Sequence, residues 1–528
     1  VNLVELLDRA ARAAPGTPAF IDGPAGRERV TTYADLERRS RRLASLFAAA
    51  GLRAGDGMAV MLPMSATLYT VIAAAWRLGL VPVFMDPAAG GRRLAECARR
   101  YPLRAFVGTP AACLLRLATR ALREIPAAFV AGPFFPGARS LGAARRLPPH
   151  GETHPCTDDS PAMVAFTSGS TGRPKGMLRT HGLLRATHAV LSAHVRPGRG
   201  EVALATLPVF TLSNLARGAT SLIPDVDLRR PGAVDPGRLT AQLERWQARS
   251  AVASPALLER IADYCLRRGH RIDGLREIFV GGAPVFPGLL EKLRLAAPRA
   301  GVRVLYGSTE AEPIALVQDV ELGEAEMAQM VRGGGLLVGR PIPEIELRIL
   351  RETGARSPPG EPEEAAPGQP GEIVVAGPHV VPGYLGGEGD GETKLAMAGR
   401  TWHRTGDAGR IDGQGRLWLL GRCSARIEDS RGILYPYAVE AGLSRHPGIA
   451  RSAFLSHGGE RLLVLEPRRG AVVDVPDLLG PLAWAGVEAV VLVRRLPVDA
   501  RHNAKVDYPA LRRVLDRGGW LRRVEVRG

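Results

Sequence analysis

The sequence predicts an α/β protein: a large N-terminal domain of helix-covered, mostly parallel sheets with an added β subdomain, then a small α+β C-terminal domain. Three observations predict it. Over roughly the first 300 residues, short apolar runs alternate with amphipathic stretches, as in parallel sheets covered by helices. Arg351–Gly371, "RETGARSPPGEPEEAAPGQPG", breaks that pattern; it cannot make a core and predicts a mobile loop. After it come runs of β character, and a separate unit begins near Cys423. The 528 residues also exceed what one core holds, roughly 250–300 residues. The division expected is 1–422 and 423–528.

In chain order, "GMAVMLP" from Gly57 reads as a buried strand, with a helix from about Ser65. Gly57–Trp76 carries no charge, but Pro63, Ser65, Thr67 and Thr70 interrupt it, so a strand–helix pair is expected and not a membrane span. "LVPVFMDP" precedes the helical "GGRRLAECARR", "RAFVGTP" precedes "AACLLRLATRAL", and "LREIFVGGAP" precedes "FPGLLEKLRLAAP". Farther on, "EIVVAGPHVV" and "RLWLLGR" read as strands, with "DGQG" (Asp412–Gly415) as a hairpin turn. The last unit holds a helix in "YAVEAGLSRH", strands in "RSAFLSH", "RLLVLEP" and "AVVLVRRLP", and a helix in "YPALRRVLDRG".

The net charge of +17 raises the question of nucleic acid, but the basic residues form no long run. An Arg-rich surface explains them, and no nucleic-acid partner is expected. The five cysteines are odd in number and lack C-x-x-C spacing, which points away from disulfides and zinc and toward a reducing, cytoplasmic setting. "VNLVELLDRA" is amphipathic and lacks a signal-peptide layout.

"FTSGSTGRPKGM" (Phe166–Met177) concentrates hydroxyls, glycines and one lysine behind "PAMVAF", an expected buried strand. Glycines let backbone approach a ligand, hydroxyls donate to its oxygens, and a lysine follows a moving anion. This is phosphate chemistry, but Pro174 and the Gly176 after Lys175 do not fit the Walker A spacing.

The loop resembles the signature of the adenylate-forming enzymes: acyl-CoA synthetases, luciferases and peptide-synthetase adenylation domains. "TTYADLERRSRRLA", "YGSTEAE", "HRTGDAGRIDGQGRLWLLGR" and "RHNAKVDYPALRR" resemble further family motifs, in order, across almost the whole chain. The resemblance implies ATP and Mg²⁺. Thr167, Ser168, Gly169, Ser170, Thr171, Gly172 and Lys175 would hold the β- and γ-phosphates. Gly282, Ala283 and Pro284 would line the adenine, and Tyr306, followed by Gly307 and Ser308, would stack on it. Thr309 would donate to the α-phosphate and Glu310 would reach the metal. Asp407 and Arg422 would bind the ribose. Lys505 would bridge the substrate carboxylate and the α-phosphate, and Ser424 stands at the hinge of a mobile C-terminal domain.

Arg431 stands where the family has a tunnel glycine, and Ala438 where a Glu is common. Both, with Ser424, point away from transfer to a thiol. "LPVFTLSNLARGATSLIPDVD", "GGAPVFPGLLEKL" and "YGSTEAEPIA" resemble one branch, the β-lactone synthetases of bacterial olefin and β-lactone biosynthesis. That implies a long-chain 2-alkyl-3-hydroxy acid, activated as acyl-AMP and closed by its own hydroxyl, and an assembly with other enzymes of that pathway. His181 and His403 are candidate bases. A fatty acyl-CoA or acyl-carrier ligase is the alternative, and a non-catalytic nucleotide-binding scaffold a more distant one.

Overall fold

Each apolar run that precedes an amphipathic stretch forms a strand feeding a helix. Gly57–Met61 is buried along its whole length. Ser65 then starts Ala66–Arg77 by accepting from Leu68 N (3.3 Å), satisfying one of the helix's orphan donors. The computed structural model describes residues 2–168, 174–228, 231–352, 362–499 and 505–526. They fall into two compact units: Val1–Asp225 with Thr309–Ala311 and Pro378–Leu395, and Val226–Ser308 with Glu312–Gly377 and Ala396–Gly528. The boundary expected after Arg422 falls inside the second unit.

The first unit has a seven-stranded sheet in the order Arg139–Ser140, Ala127–Val130, Leu103–Gly108, Gly57–Met61, Val81–Phe84, Pro161–Ser168, Pro174–Thr180. All neighbours are parallel except the last pair. Val202–Ala205, Thr220–Leu222 and Pro18–Asp22 make a second parallel run. Phe20, Tyr33, Phe47 and Phe129 fill the core between layers. Arg77 is fully buried there, its charge met by two bonds from its guanidinium to Asp8.

In the second unit Ser250–Ala253, Glu277–Gly281 and Gly301–Ser308 are parallel. The sheet continues through Ala311–Gln318 to Leu336–Pro341, Leu417–Arg422, Arg400–Ile411, Gly371–Ala376 and Glu346–Leu350, antiparallel from Ala311–Gln318 onward. This is the β subdomain. Asp412–Gly415 is its hairpin turn, with Gly415 N donating to Asp412 O at 2.9 Å. A separate four-stranded sheet, Ile449–His457, Glu460–Pro467, Ala489–Leu492 and Arg522–Glu525, carries the helices Pro436–Leu443 and Tyr508–Asp516.

Three local expectations differ. "AACLLRLATRAL" is two helices, Pro110–Ala118 and Arg120–Arg123, because Thr119 turns to extended backbone (φ −109°) and ends the first. The strand in "EIVVAGPHVV" stops at Ala376, since Pro378 has no N–H for a ladder. Of the loop Arg351–Gly371, residues 353–361 lie outside the described residues. Its far end is not loose: Arg351 N donates to Glu363 O (2.9 Å) and Ala365 N to Ile349 O (2.8 Å). Among the described residues no helix is long and apolar enough to cross a membrane.

Candidate active site

Two clusters, one in each unit, gather several of the residues singled out by sequence. In the first unit the antiparallel pair of strands sets Thr167 opposite Lys175 and Ser168 opposite Pro174. Gly169, Ser170, Thr171 and Gly172, between them, lie outside the described residues. Thr167 is half-buried. Lys175 is buried, its Nζ 2.8 Å from Glu392 Oε2 and 5.6 Å from the Tyr384 ring centroid. The Tyr384 hydroxyl donates to Glu310 Oε1 at 2.7 Å. The backbone on either side of Glu310 is held as well. Arg179 donates to the Thr309 carbonyl at 2.5 Å, and Val381 N to the Glu310 carbonyl at 2.8 Å.

Lys394 completes this cluster. Its Nζ donates to the Val381 carbonyl and lies 5.6 Å from the same Tyr384 centroid. Burial lowers its pKa to about 8, against the opposing pull of Glu310 and Asp390. Gly389 (φ +97°) packs directly on Lys175: a Cβ there would come within 2.5 Å of the lysine Cε. The positive φ favours glycine there, and a side chain would push the end of Lys175 aside.

In the second unit Arg400–Ile411 and Leu417–Arg422 pair so that Asp407 lies opposite Arg422. Asp407 Oδ2 accepts from the Tyr306 hydroxyl (2.9 Å), and Oδ1 from Arg422 Nη1 (2.8 Å). Arg422 Nη1 also donates to the Thr405 carbonyl (3.0 Å), and Thr405 Oγ1 accepts from Asp407 N (3.0 Å). A Cβ at Gly406 (φ +67°) would come within 3.0 Å of Arg422 Nη2, so the close turn keeps the guanidinium seated. Burial and the adjacent Asp407 hold the Tyr306 phenol neutral, well above its usual pKa. Asp407, ahead of an opposing burial cost, keeps Arg422 firmly charged. Gly307 and Ser308 end the strand that carries Tyr306, and Gly282, Ala283 and Pro284 form a half-buried turn after Glu277–Gly281.

The result is two lysines, two carboxylates and a phenol in one cluster, and a carboxylate braced by a phenol and a guanidinium in the other. The first suits phosphate and metal, the second vicinal hydroxyls. The family model described as AMP-binding enzyme matches residues 7–385, well over half of the chain. The chain belongs to the AMP-binding enzyme family. It is an AMP-forming ligase, of the adenylate-forming class. This AMP-binding enzyme is 32% identical to an olefin β-lactone synthetase of Xanthomonas campestris pv. campestris, over 96% of either chain. It is 33% identical to an olefin β-lactone synthetase of Stenotrophomonas maltophilia, over 94% of either chain. Its fold is similar to that of an O-succinylbenzoate coenzyme A synthetase from Bacillus subtilis, solved in complex with ATP and magnesium ion. There the TM-score is 0.75 at 20% identity, over 94% of this chain and 98% of that one.

Elsewhere in this AMP-binding enzyme, the structure does not bring Lys505 to Asp407 or Arg422, which share its unit. Lys505 is exposed; its N donates to Asp499 Oδ1 (2.9 Å) and its O accepts from Asp499 N (2.8 Å). Ser424 is exposed in the short turn Cys423–Ala425. Arg431 sits in the hairpin of Ile427–Asp429 and Gly432–Leu434, bonded to Asp429 (3.0 Å), Glu488 (2.9 Å) and the Gly486 carbonyl (3.1 Å). The positive φ of that turn belongs to Gly432 (+103°). His181 accepts from Leu3 N (3.1 Å) and packs on Trp76, and burial lowers its pKa to about 4. His403 is buried on Arg400–Ile411.

Tyr384, Glu392, Lys394 and Tyr437 are among the residues that escaped the sequence reading. The first three lie in "GYLGGEGDGETK", whose alternating glycines and acids are a usable signal for a tight charged turn. Tyr437 stacks edge-on with Phe286 (5.9 Å), and burial with Asp407 nearby raises its phenol.

Glu440, in the helix Pro436–Leu443, yields a pH prediction. Burial pushes its pKa up to about 7, although Oε1 accepts from Phe454 N and the Tyr508 hydroxyl, both at 3.1 Å. The folded value lies above the unfolded one. Its contribution to stability is therefore complete below the unfolded pKa and is lost as pH rises through about 7. Glu440→Gln stabilises the protein relative to wild type by about 1–3 kcal/mol more at pH 8.5 than at pH 4. Denaturant melts at the two pH values test this, and a difference between the two proteins that does not move with pH would sink it.

Proposed function

We propose that the enzyme converts a long-chain 2-alkyl-3-hydroxy acid and ATP into a β-lactone, AMP and pyrophosphate. A carboxylate oxygen attacks the α-phosphorus and pyrophosphate leaves. The β-hydroxyl oxygen of the bound acyl-adenylate then attacks the acyl carbon, its proton passes to the departing AMP phosphate, and the ring closes. The nucleophile is already part of the substrate. Effective molarities of roughly 10⁵ M are available to such reactions, and a strained ring recovers less.

The roles follow the two clusters. Lys175, with Thr167 and the loop after it, holds the outer phosphates. Thr309 binds the α-phosphate. Asp407 accepts from the ribose hydroxyls while Arg422 and Tyr306 fix its orientation. Lys505, on a C-terminal domain that turns about Ser424, neutralises charge building between carboxylate and phosphorus. Glu310 would hold Mg²⁺. The fit is sound: Mg²⁺ is bound through few carboxylates plus phosphate oxygens, and a carboxylate that accepts from Tyr384 retains lone pairs for a metal. Mg²⁺ bound there would offset the charge of the phosphates.

The observation that carries the lactone reading is the identity with two olefin β-lactone synthetases along nearly the full length of each chain. The test is a mass-spectrometric product assay with a synthetic 2-alkyl-3-hydroxy acid, ATP and Mg²⁺, and no CoA. A β-lactone with stoichiometric AMP is expected, and the acid lacking its hydroxyl stalls as bound acyl-adenylate. If CoA is required and a thioester accumulates, the enzyme is an acyl-CoA ligase and the reading of Arg431 and Ser424 is wrong.

A further inference from the structure

The phosphate lysine and the metal carboxylate are both engaged from one short segment. Glu392 reaches Lys175 at 2.8 Å, and two residues later Lys394 stands in the field of Glu310. The placement is built. Gly389 packs its backbone on the Lys175 side chain, and Asp390 Oδ1 accepts from Tyr384 N at 2.9 Å, fixing the turn to the tyrosine. Tyr384 in turn joins both halves. Each lysine lies 5.6 Å from its ring centroid, and its hydroxyl donates to Glu310 at 2.7 Å. An anion thus meets the group assigned to phosphate, and a cation, its Nζ on the Val381 carbonyl, lies against the tyrosine that donates to the group assigned to Mg²⁺.

We propose that Glu392 and Lys394 are an internal stand-in for Mg·ATP, which the nucleotide must displace: Glu392 occupies the place of a phosphate oxygen on Lys175, and Lys394 that of the metal near Glu310. This rests on the roles given above to Lys175 and Glu310. Two requirements support exchange in place of permanent pairing. A buried ammonium needs a counter-anion when no nucleotide is bound, or its desolvation is uncompensated. Glu392 itself is half exposed, so it can return to water at small cost when phosphate arrives. The apparent affinity for nucleotide is then reduced by the fraction of molecules in which Lys175 is already paired.

The test is calorimetric titration with ATP, and separately with inorganic pyrophosphate, at fixed Mg²⁺ and without acid substrate. Glu392→Gln is expected to lower the ATP Kd about twofold to fivefold, the range of a partly exposed ion pair. Lys394→Met is expected to lower the Mg²⁺ concentration that half-saturates ATP binding. Lys175→Ala separates the layers of the argument. In that background ATP binds more weakly, and adding Glu392→Gln brings no gain. Unchanged or weaker ATP binding in Glu392→Gln overturns the stand-in, as does a raised Mg²⁺ requirement in Lys394→Met. If Lys175→Ala leaves ATP affinity unaltered, the phosphate role of Lys175 has failed, and the stand-in with it.

Discussion

Lys505→Ala lowers acyl-adenylate formation by about 10²-fold or more, the scale of losing one preorganised contact to developing charge. ATP affinity changes little. The two effects separate because of where the structure holds this lysine. Lys505 is exposed, and among the described residues only its backbone, through Asp499, is bonded. Removing the ammonium therefore disturbs no packing and leaves the folded protein at its wild-type stability. Lys505→Arg distinguishes charge from shape: a planar guanidinium keeps the charge without the compact tip, and recovers only part of the rate. Pyrophosphate exchange with the acid substrate measures the step directly. Wild-type exchange in Lys505→Ala would remove the lysine from the chemistry.

Asp407→Ala is expected to weaken ATP binding by about 10²-fold or more. In the proposed role the carboxylate accepts from two ribose hydroxyls, and bonds to a charged group contribute about 1.5–3 kcal/mol each. The mutation also strips Arg422 and Tyr306 of their shared partner, at 2.8 and 2.9 Å. Some loss of stability, on the order of 1–3 kcal/mol, accompanies it. Asp407→Asn keeps the volume and one acceptor, so stability recovers more than binding does. A Kd for ATP within threefold of wild type in a folded Asp407→Ala protein would show that the ribose is held elsewhere.

Much of this was legible in the sequence because it is local. A strand feeding a helix is written as apolar runs followed by a 3.6-residue period. Ser65 and Thr32 start helices by accepting from residues three positions on. Tyr306, Thr309 and Glu310 share one five-residue stretch, and Asp407 and Arg422 flank one hairpin. Strand register alone brings the last two face to face. Where local chemistry overrode periodicity, at Thr119 and Pro378, the expected element was cut short.

The sequence by itself determined the α/β class, the order of elements, the family motifs and the residues at the heart of the two clusters, among them Lys175, Glu310, Tyr306 and Asp407. What it left undecided is which of them touch. Tyr306 meets Asp407 across 101 positions, and Lys175 meets Glu392 across 217. Lys394 reads as an ordinary cation until its burial against the Tyr384 ring is seen. Periodicity, caps and turns act over a few residues, so the chain carries them openly. Contacts across hundreds of positions exist only once sheets have closed long loops and removed water, and so tertiary structure alone decided them.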